Sequence, residues 1–363
     1  MMTEWKTYKL GDILNFRRGH DLPKTQMVDG KIPVAGSNGI IGYHNVSTPI
    51  EPCITIGRSG NVGTPYIYDR CWAHNTVLYI DDFKGNDPLY LYYLLKTIPL
   101  ASYGGGSAVP TLNRNHIHPI EIKHTPSLEE QRRIAGILGA IDDKIENNRR
   151  INDNLEQQAQ ALFEEWFVND NAQTAEYNKV ALTDIANYLN GLAMQKFRPK
   201  DDEKGIPVLK IKELGQGLCD STSDLCSPSI DDKYIIDDGD IIFSWSGTLL
   251  VDIWCGGTCG LNQHLFKVTS DKYPKWFVYY WTKFHLAKFI RIAKDKAVTM
   301  GHIKRGDLET SEVLVPDSLL LEKYDNIMTP IFNAIISNRI ENRNLAALRD
   351  ALLPKLMNGE IKL

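Results

Sequence analysis

The chain contains an internal repeat, and this repeat limits its architecture more than any other feature. Short motifs of the first half return in the same order in the second half. Self-similarity of this kind predicts two copies of one structural unit, and 363 residues are enough for each copy to bury its own core. The matching motifs are Leu10-Gly11-Asp12-Ile13 with Leu182-Thr183-Asp184-Ile185, Ile32-Pro33-Val34 with Ile206-Pro207-Val208, Ser59-Gly60 with Ser246-Gly247, Asn75 with Asn262, and Pro126 with Pro316.

Each copy ends in a long run whose apolar and amide residues are spaced alternately by four and three, the pattern of a coiled-coil seam. Ser127 and Asp317 are suited to cap the two helices. The first seam is Ile134, Leu138, Ile141, Ile145, Asn148, Asn152, Leu155, Ala159, Leu162 and Trp166, and the second is Tyr324, Met328, Ile331, Ile335, Asn338, Asn342, Leu345, Arg349, Leu352 and Leu356. Arg349 is the one poor seam position.

The polar seam residues allow the helices to pair in either direction. Antiparallel pairing sets Asn148 opposite Asn342 and Asn152 opposite Asn338, whereas parallel pairing sets Asn148 opposite Asn338. We favour the antiparallel coiled coil, because the chain leaves the first helix at its far end and returns from there, so each module can lie at its own end. Buried polar pairs of this type fix register.

The predicted fold class is α+β, with two mixed α/β domains that are each followed by a long α-helix. Aromatic-rich stretches after Pro88 and Pro274 predict buried helices. The expected divisions are residues 1–125, the first helix at 126–170, residues 171–315, and the second helix at 316–363. Predicted strands include Cys53 to Gly57, Val77 to Ile80, Asp240 to Phe243 and Leu265 to Val268.

Composition is that of an ordinary globular protein, with 43% apolar and 24% charged residues. No apolar run reaches the ~20 residues of a membrane span, and the start lacks an apolar signal segment, so we expect a cytoplasmic protein without a membrane partner. The six cysteines are expected to be reduced thiols. Cys255 and Cys259 are expected to be small strand residues. This pair lacks the further ligands that a metal site needs, and so does the pair His116 and His118.

The net charge of −4 hides a local basic excess. Residues 283–305 carry seven Lys or Arg residues against Asp295 alone, which is typical of a phosphate-binding patch and equally of a solvated helix face.

Loop residues of both modules include the cationic, amide and hydroxyl groups that contact phosphates and base edges in DNA. Residues of these types are also common in ordinary turns and as solvated charges. The prediction of DNA contact therefore concerns the loops as a whole more than any single residue. The candidates in the first module are Arg17, Arg18, Lys24, Ser37, Asn38, Arg58, Ser59, His74, Asn75, Thr111, Asn113, Arg114 and His116. Those in the second are Lys196, Arg198, Lys210, Trp245, Ser246, Asn262, Gln263, His264, Lys294, Lys296, Thr299, His302, Lys304 and Arg305.

Catalytic motifs are missing from the sequence. It has no Gly-x-x-x-x-Gly-Lys-Ser/Thr phosphate loop and no Asn/Asp-Pro-Pro-Tyr/Phe motif of an amino-methyltransferase, so we expect no catalytic residues. Two non-enzymatic functions remain open: a sequence-specific DNA reader, and a coiled-coil scaffold whose modules bind protein or small ligands.

Taken together, these motifs resemble the specificity subunit of a type I DNA restriction and modification enzyme over essentially the whole chain. The resemblance rests on Leu10 to Ile13, the two Ile-Pro-Val strands, Pro126 to Ala135 with Ile141-Asp142 and Ile151, and Leu352 to Ile361. The segment Ser318 to Glu322 departs from the family pattern, because it lacks the Glu-Glu-Gln-Arg-Arg of the first helix. This puts in doubt whether the two helices contact their partners equally.

The resemblance implies that each module reads one half of a bipartite target in double-stranded DNA. Reading two major-groove segments on one face of the DNA predicts half-sites about 10 base pairs apart, centre to centre. It implies that the helices set the spacing and dock two methyltransferase subunits, and that restriction subunits join the complex. S-adenosylmethionine, ATP and Mg²⁺ would then bind those partners, and this chain would hold no cofactor.

Overall fold

The computed structural model describes residues 5–105, 110–169, 177–295 and 302–363. They form two compact units, of which the first comprises residues 1–143 and 345–363 and the second comprises residues 144–344. Both boundaries fall inside the long helices and not at the ends of the helices. The first unit therefore holds the start of one helix and the end of the other.

The first module, which is the globular part of the first unit, contains two small sheets beside a short strand pair. The main sheet is antiparallel with the order β2-β8-β5-β6, and the second has the order β4-β3-β7, in which β3 and β7 are parallel. The elements are β1 (Lys6–Lys9), α1 (Leu10–Ile13), β2 (Asn15–Arg18), β3 (Ile32–Gly36), β4 (Gly39–His44), β5 (Cys53–Gly57), β6 (Pro65–Tyr68), β7 (Trp72–Ala73), β8 (Val77–Asp82), α2 (Pro88–Thr97), α3 (Arg114–Ile117), β9 (Glu121–His124) and the long helix α4 (Leu128–Phe167).

The second module repeats this arrangement with the sheet orders β11-β18-β15-β16 and β13-β12-β17-β14. Its elements are β10 (Asn178–Ala181), α5 (Leu182–Ile185), β11 (Asn187–Asn190), β12 (Ile206–Leu209), α6 (Ile211–Gln216), β13 (Leu225–Cys226), β14 (Ile235–Ile236), β15 (Ile241–Ser244), β16 (Leu250–Ile253), β17 (Cys259–Leu261), β18 (Leu265–Thr269), α7 (Lys275–Asp295), α8 (Arg305–Glu309), β19 (Glu312–Val315) and the long helix α9 (Ser318–Met357). The mixed α/β fold class with long helices is confirmed.

Aromatic-rich helices form the centres of both cores because large rings bury the most apolar area. Tyr90 and Leu94 of α2 are buried against Phe16 and Ile54 in the first module. Trp276 and Phe289 of α7 are buried with Phe243 in the second. All six cysteines are free thiols; Cys259 opens β17, whereas Cys255 lies just after β16 and not in a strand as expected.

Side-chain caps fix the starts of both long helices. Ser127 Oγ accepts from the Glu130 backbone N–H at 3.4 Å, and Asp317 Oδ1 accepts from the Leu320 N–H at 2.9 Å. These bonds satisfy backbone donors that the first helical turn leaves unpaired.

Within the second unit, α4 and α9 run antiparallel. Asn148 Nδ2 donates to Asn342 Oδ1 at 3.0 Å, and Asn338 Nδ2 donates to Asn152 Oδ1 at 2.9 Å. Further along, the ring of Trp166 stacks on that of Tyr324 with centroids 3.9 Å apart. Residue numbers rise on one helix as they fall on the other, so the parallel alternative does not apply in this unit.

The seam residues of both helices are buried or half-buried. Arg349, the poor position, donates from Nη1 to Asp142 Oδ1 at 2.7 Å within the first unit. The buried ones are Ile134, Leu138, Ile145, Asn148, Asn152, Ala159, Tyr324, Met328, Ile335 and Leu356, and the half-buried ones are Ile141, Leu155, Leu162, Trp166, Ile331, Asn338, Asn342, Leu345, Arg349 and Leu352.

An ion triad ties α9 to α4 and to the second module, and its removal should destabilise that unit. Arg339 lies 2.8 Å from both Asp252 Oδ1 and Glu156 Oε1 and is only partly exposed. Replacing it by Met leaves two half-buried carboxylates without their cation, so we expect the free energy of unfolding to fall by about 2–3 kcal/mol in urea titrations. Lys144→Met, which breaks an exposed pair with Glu341, should change the free energy of unfolding much less; equal losses in both variants would contradict this.

Buried His124 should make the stability depend on pH. Burial lowers the pKa of its imidazole to about 4, against about 6.5 in an unfolded chain. Between these values the unfolded chain binds a proton that the folded chain does not. The free energy of unfolding should therefore fall as the pH falls, by up to about 1.4 kcal/mol per pH unit. His124→Gln should flatten this slope in urea titrations between pH 4.5 and 6.5, and an unchanged slope would refute the assignment.

Candidate nucleic-acid interface

Several loops of the first module meet beyond the end of β5. The backbone N–H groups of Arg58 and Ser59 donate to Thr76 O at 2.8 and 3.2 Å, and Ser59 forms a β-bridge with Thr111. Ser37 Oγ donates to the same Thr76 carbonyl at 2.6 Å. We call Arg58–Ser59, His74–Thr76 and Thr111 the first tip cluster.

The second module reproduces the backbone bonds of this cluster. Trp245 N–H donates to His264 O at 3.4 Å, as Arg58 does to Thr76, and Ser246 forms a bridge with His302. We call Trp245–Ser246, Asn262–His264 and His302 the second tip cluster. One backbone frame thus presents different side chains in the two modules.

The frame corrects one match drawn from the sequence. Asn262 N–H donates to Leu209 O at 3.2 Å and occupies the place of His74, whose N–H donates to Ala35 O at 3.0 Å. Asn75 therefore corresponds to Gln263 and not to Asn262. The segment from Ser246 to Asn262 is one residue longer than the segment from Ser59 to His74. A match between short motifs does not reveal such an insertion.

Charged groups surround the first tip cluster. Arg58 Nη1 donates to Asn75 O at 3.4 Å, and Asn75 Nδ2 donates to Asp21, which also pairs with Arg18 at 3.3 Å. His74 Nδ1 lies 3.0 Å from Thr76 Oγ1. Burial lowers the pKa of His74, and the Asp21 carboxylate partly offsets this shift. Arg17 and Arg18 on β2 are exposed to solvent.

Aromatic and amide groups dominate the second tip cluster. Trp245 Nε1 donates to Asn190 Oδ1 at 3.0 Å, and its ring lies 6.0 Å from that of His264. Ser246 Oγ lies 3.0 Å from His264 Nδ1, and Gln263 Nε2 lies 3.3 Å from His264 Nε2. The side chains form a linked polar network with no arginine at the position of Arg58.

A concavity of about 500 Å³ adjoins the second cluster and brings together Arg198, Lys210 and Asn262, three residues proposed from sequence. The Lys210 ammonium pairs with Asp224 and thereby lowers the pKa of that carboxyl. The wall therefore offers an ammonium paired with a carboxylate, one exposed guanidinium, and the amides of Asn262 and Gln195.

Other candidate residues have structural roles that the sequence did not show. Asn113 caps α3 by accepting from the Asn115 N–H at 3.0 Å, and Arg114 Nη1 donates to Phe16 O at 3.2 Å. Lys288, part of the basic run, donates to Thr310 O at 3.1 Å, so that run is not a uniformly free patch. Arg305 lies 3.6 Å from Glu309.

The remaining candidates are not members of the two clusters. Exposed ones are Lys24, Asn38, His116, Lys196, Lys294 and Lys304, while Lys296 and Thr299 lie outside the described residues. Sequence reasoning missed Thr76 and Asn190, which lie in or against the clusters. A Thr after His-Asn and an Asn at the end of a strand carry no signal that distinguishes them from turn residues.

Two further observations concern the described residues. Their helices include none that combines the length and apolar character needed to cross a membrane. They also contain no group of three or more His, Cys, Asp or Glu side chains placed to hold a metal ion.

Comparison with known proteins gives a consistent result. A family model described as the type I restriction modification DNA specificity domain matches residues 2–157 and 174–347. The type I restriction enzyme MjaIX specificity subunit of Methanocaldococcus jannaschii is 30% identical over 301 residues, which cover 75% of this chain and 69% of that protein. The HindI specificity subunit of Haemophilus influenzae is 23% identical over 312 residues, covering 65% and 68%.

The fold is also similar to a solved structure. The S subunit of a type I restriction-modification system from M. genitalium superposes with a TM-score of 0.69 at 16% identity, covering 98% of this chain and 96% of that one. At this identity the likeness concerns the fold alone.

Proposed function

Because this chain belongs to the type I restriction modification DNA specificity domain family, we propose that each of its modules reads one half of a bipartite target in double-stranded DNA. The tip cluster of each module contacts base edges, and the nearby Lys and Arg side chains contact phosphates.

The observation that carries the proposal is the shared backbone frame of the two clusters. Equivalent hydrogen bonds hold Arg58 and Trp245 in one position and His74 and Asn262 in another. A scaffold that keeps its geometry while its contact side chains differ suits two readers of different half-sites. Arg58 carries the forked donors that recognise guanine, and Asn262 and Gln263 carry amides that recognise adenine.

The paired helices would hold the half-sites at a fixed distance and dock two methyltransferase subunits. The interhelical amide bonds fix the register that such a spacer needs. The exposed faces of α4 and α9 would meet these partners, and restriction subunits would complete the complex. S-adenosylmethionine, ATP and Mg²⁺ would bind in those subunits, and the whole complex would act in the cytoplasm.

Binding of the chain with its methyltransferase subunits to a pool of random-sequence duplexes tests this function. Neutralising phosphates releases counterions, so the affinity should fall steeply between 50 and 200 mM salt, by about a thousandfold for six phosphate contacts. A scaffold that binds only proteins would show no such binding.

Arg58→Ala should change recognition in one half-site only. Loss of a forked contact to one base pair should relax the choice at that position by about tenfold or more. Mapping of methylated adenines in cells should show the second half-site unchanged. Arg70→Ala is the matched control, because Arg70 is an exposed arginine of the same module paired with Glu51 at 2.7 Å; relaxed recognition in the control as well would contradict a specific role for Arg58.

Lengthening both helices should lengthen the tolerated spacer. Seven residues inserted after Asp143 and seven after Asn344 keep the heptad period of the seam and, because both points are unit boundaries, leave the contacts within each unit in place. Each insertion adds about 10 Å of helix, which corresponds to about 3 base pairs of DNA. Methylation mapping that finds both half-sites at their original spacing would refute the ruler.

A further inference from the structure

An apolar patch is exposed on the hairpin β3–β4 of the first module. Ile40, Ile41 and Tyr43 of β4 are 50%, 40% and 56% exposed. Among the residues that the structure describes, β4 is an outer strand of its sheet and pairs with β3 alone. Exposed apolar side chains grouped on one strand usually mark a contact surface.

A β-bulge explains how two neighbouring isoleucines are both exposed. Val34 pairs with Gly42 and Ala35 pairs with Ile40, which leaves Ile41 without a residue opposite. Bulges of this kind redirect side chains that alternation along a strand would send to opposite faces. Gly36 gives Ile41 room, because a Cβ at that glycine would lie only 2.6 Å from Ile41 Cγ2.

The patch is continuous with the first tip cluster. Ala35, the partner of Ile40, accepts from the His74 N–H at 3.0 Å, and Ser37 in the hairpin turn donates to Thr76 O at 2.6 Å. Lys24 lies on the turn that precedes Met27, whose sulfur lies beside Gly42 of β4. The hairpin is thus hydrogen-bonded to the first tip cluster, which carries the Arg58 guanidinium.

We infer that Ile40 and Ile41 bind the 5-methyl groups of thymines in the major groove of the half-site that the first module reads, an inference that rests on the proposed function. The major groove admits a two-stranded β-ribbon, and the thymine methyl is the one apolar group that bases present there. An isoleucine set against the polar edges of other bases would strip them of water without replacing their hydrogen bonds.

The two isoleucines of the patch have no counterpart in the second module, although Leu225, at the place of Tyr43, is also exposed. Pro33 pairs with Tyr43, as Pro207 pairs with Leu225, so the hairpins correspond at their bases. Beyond Leu209 the second module continues into α6 in place of the tight turn, and no residue there corresponds to Ile40 or Ile41.

Uracil substitution tests the inference, because uracil lacks only the 5-methyl group. The consensus duplex selected from a random pool by the complete complex is synthesised with uracil in place of each thymine of the first half-site in turn. At one or two positions we expect binding to weaken about fourfold for each contacted methyl group.

Ile40→Ala is the test variant and Val46→Ala the matched control, since both side chains are about half exposed and lie in the same module, at 50% and 49%. Ile40→Ala should bind the thymine duplex more weakly and no longer distinguish uracil at the affected position. Val46→Ala should behave as the unaltered chain.

Equal binding of thymine and uracil at every position of that half-site, with salt-dependent and sequence-selective binding intact, overturns the inference and leaves the proposed function standing. This is also the result expected if the patch enters the minor groove or binds a protein partner. Absence of any selective duplex binding overturns the proposed function as well.

Discussion

Two amide layers between the long helices constrain the rest of the second unit. Asn148 meets Asn342 and Asn152 meets Asn338, and Asn152 also donates to Ile335 O at 3.1 Å. A shift of one helix by a heptad would place most of these amides against apolar side chains and leave buried donors unpaired, which costs more than the bonds contribute. The amides therefore select a single register at some cost in stability, and the aromatic packing of Trp166 on Tyr324 follows from it.

How well each feature could be predicted from sequence depends on how local its physical cause is. The seam could be predicted because helical spacing places residues three and four apart on one face wherever the chain folds into a helix. The caps Ser127 and Asp317 are equally local. By contrast, the role of Arg114 depends on the Phe16 carbonyl, which lies far away in sequence. The match of Asn75 to Asn262 failed for the same reason, because only pairing with distant strands shows which residue occupies an equivalent place.

In the tip clusters the backbone sets the geometry of the loops, and the side chains set the chemistry of binding. Backbone bonds hold the loops, so the side chains at positions such as Arg58 and Trp245 are free to differ without disturbing the frame. A buried core residue has no such freedom, because its volume must match its neighbours. The assignment of the candidates to loops was right for residues such as Ser59 and Gln263. It was wrong for Arg17 and Arg18 on β2, for Arg114 and His116 on α3 and for Lys294 on α7.

The first unit combines the two ends of the chain, and this affects the order in which the units fold during synthesis. Its core includes Leu353, Leu356 and Met357, close to the end of α9, together with residues such as Leu10 and Phe16. During translation these early residues leave the ribosome first, yet the side chains that complete their core follow only after the whole second unit has been synthesised. The first unit is therefore the last to close, and the nascent chain carries an unfinished apolar surface until α9 emerges.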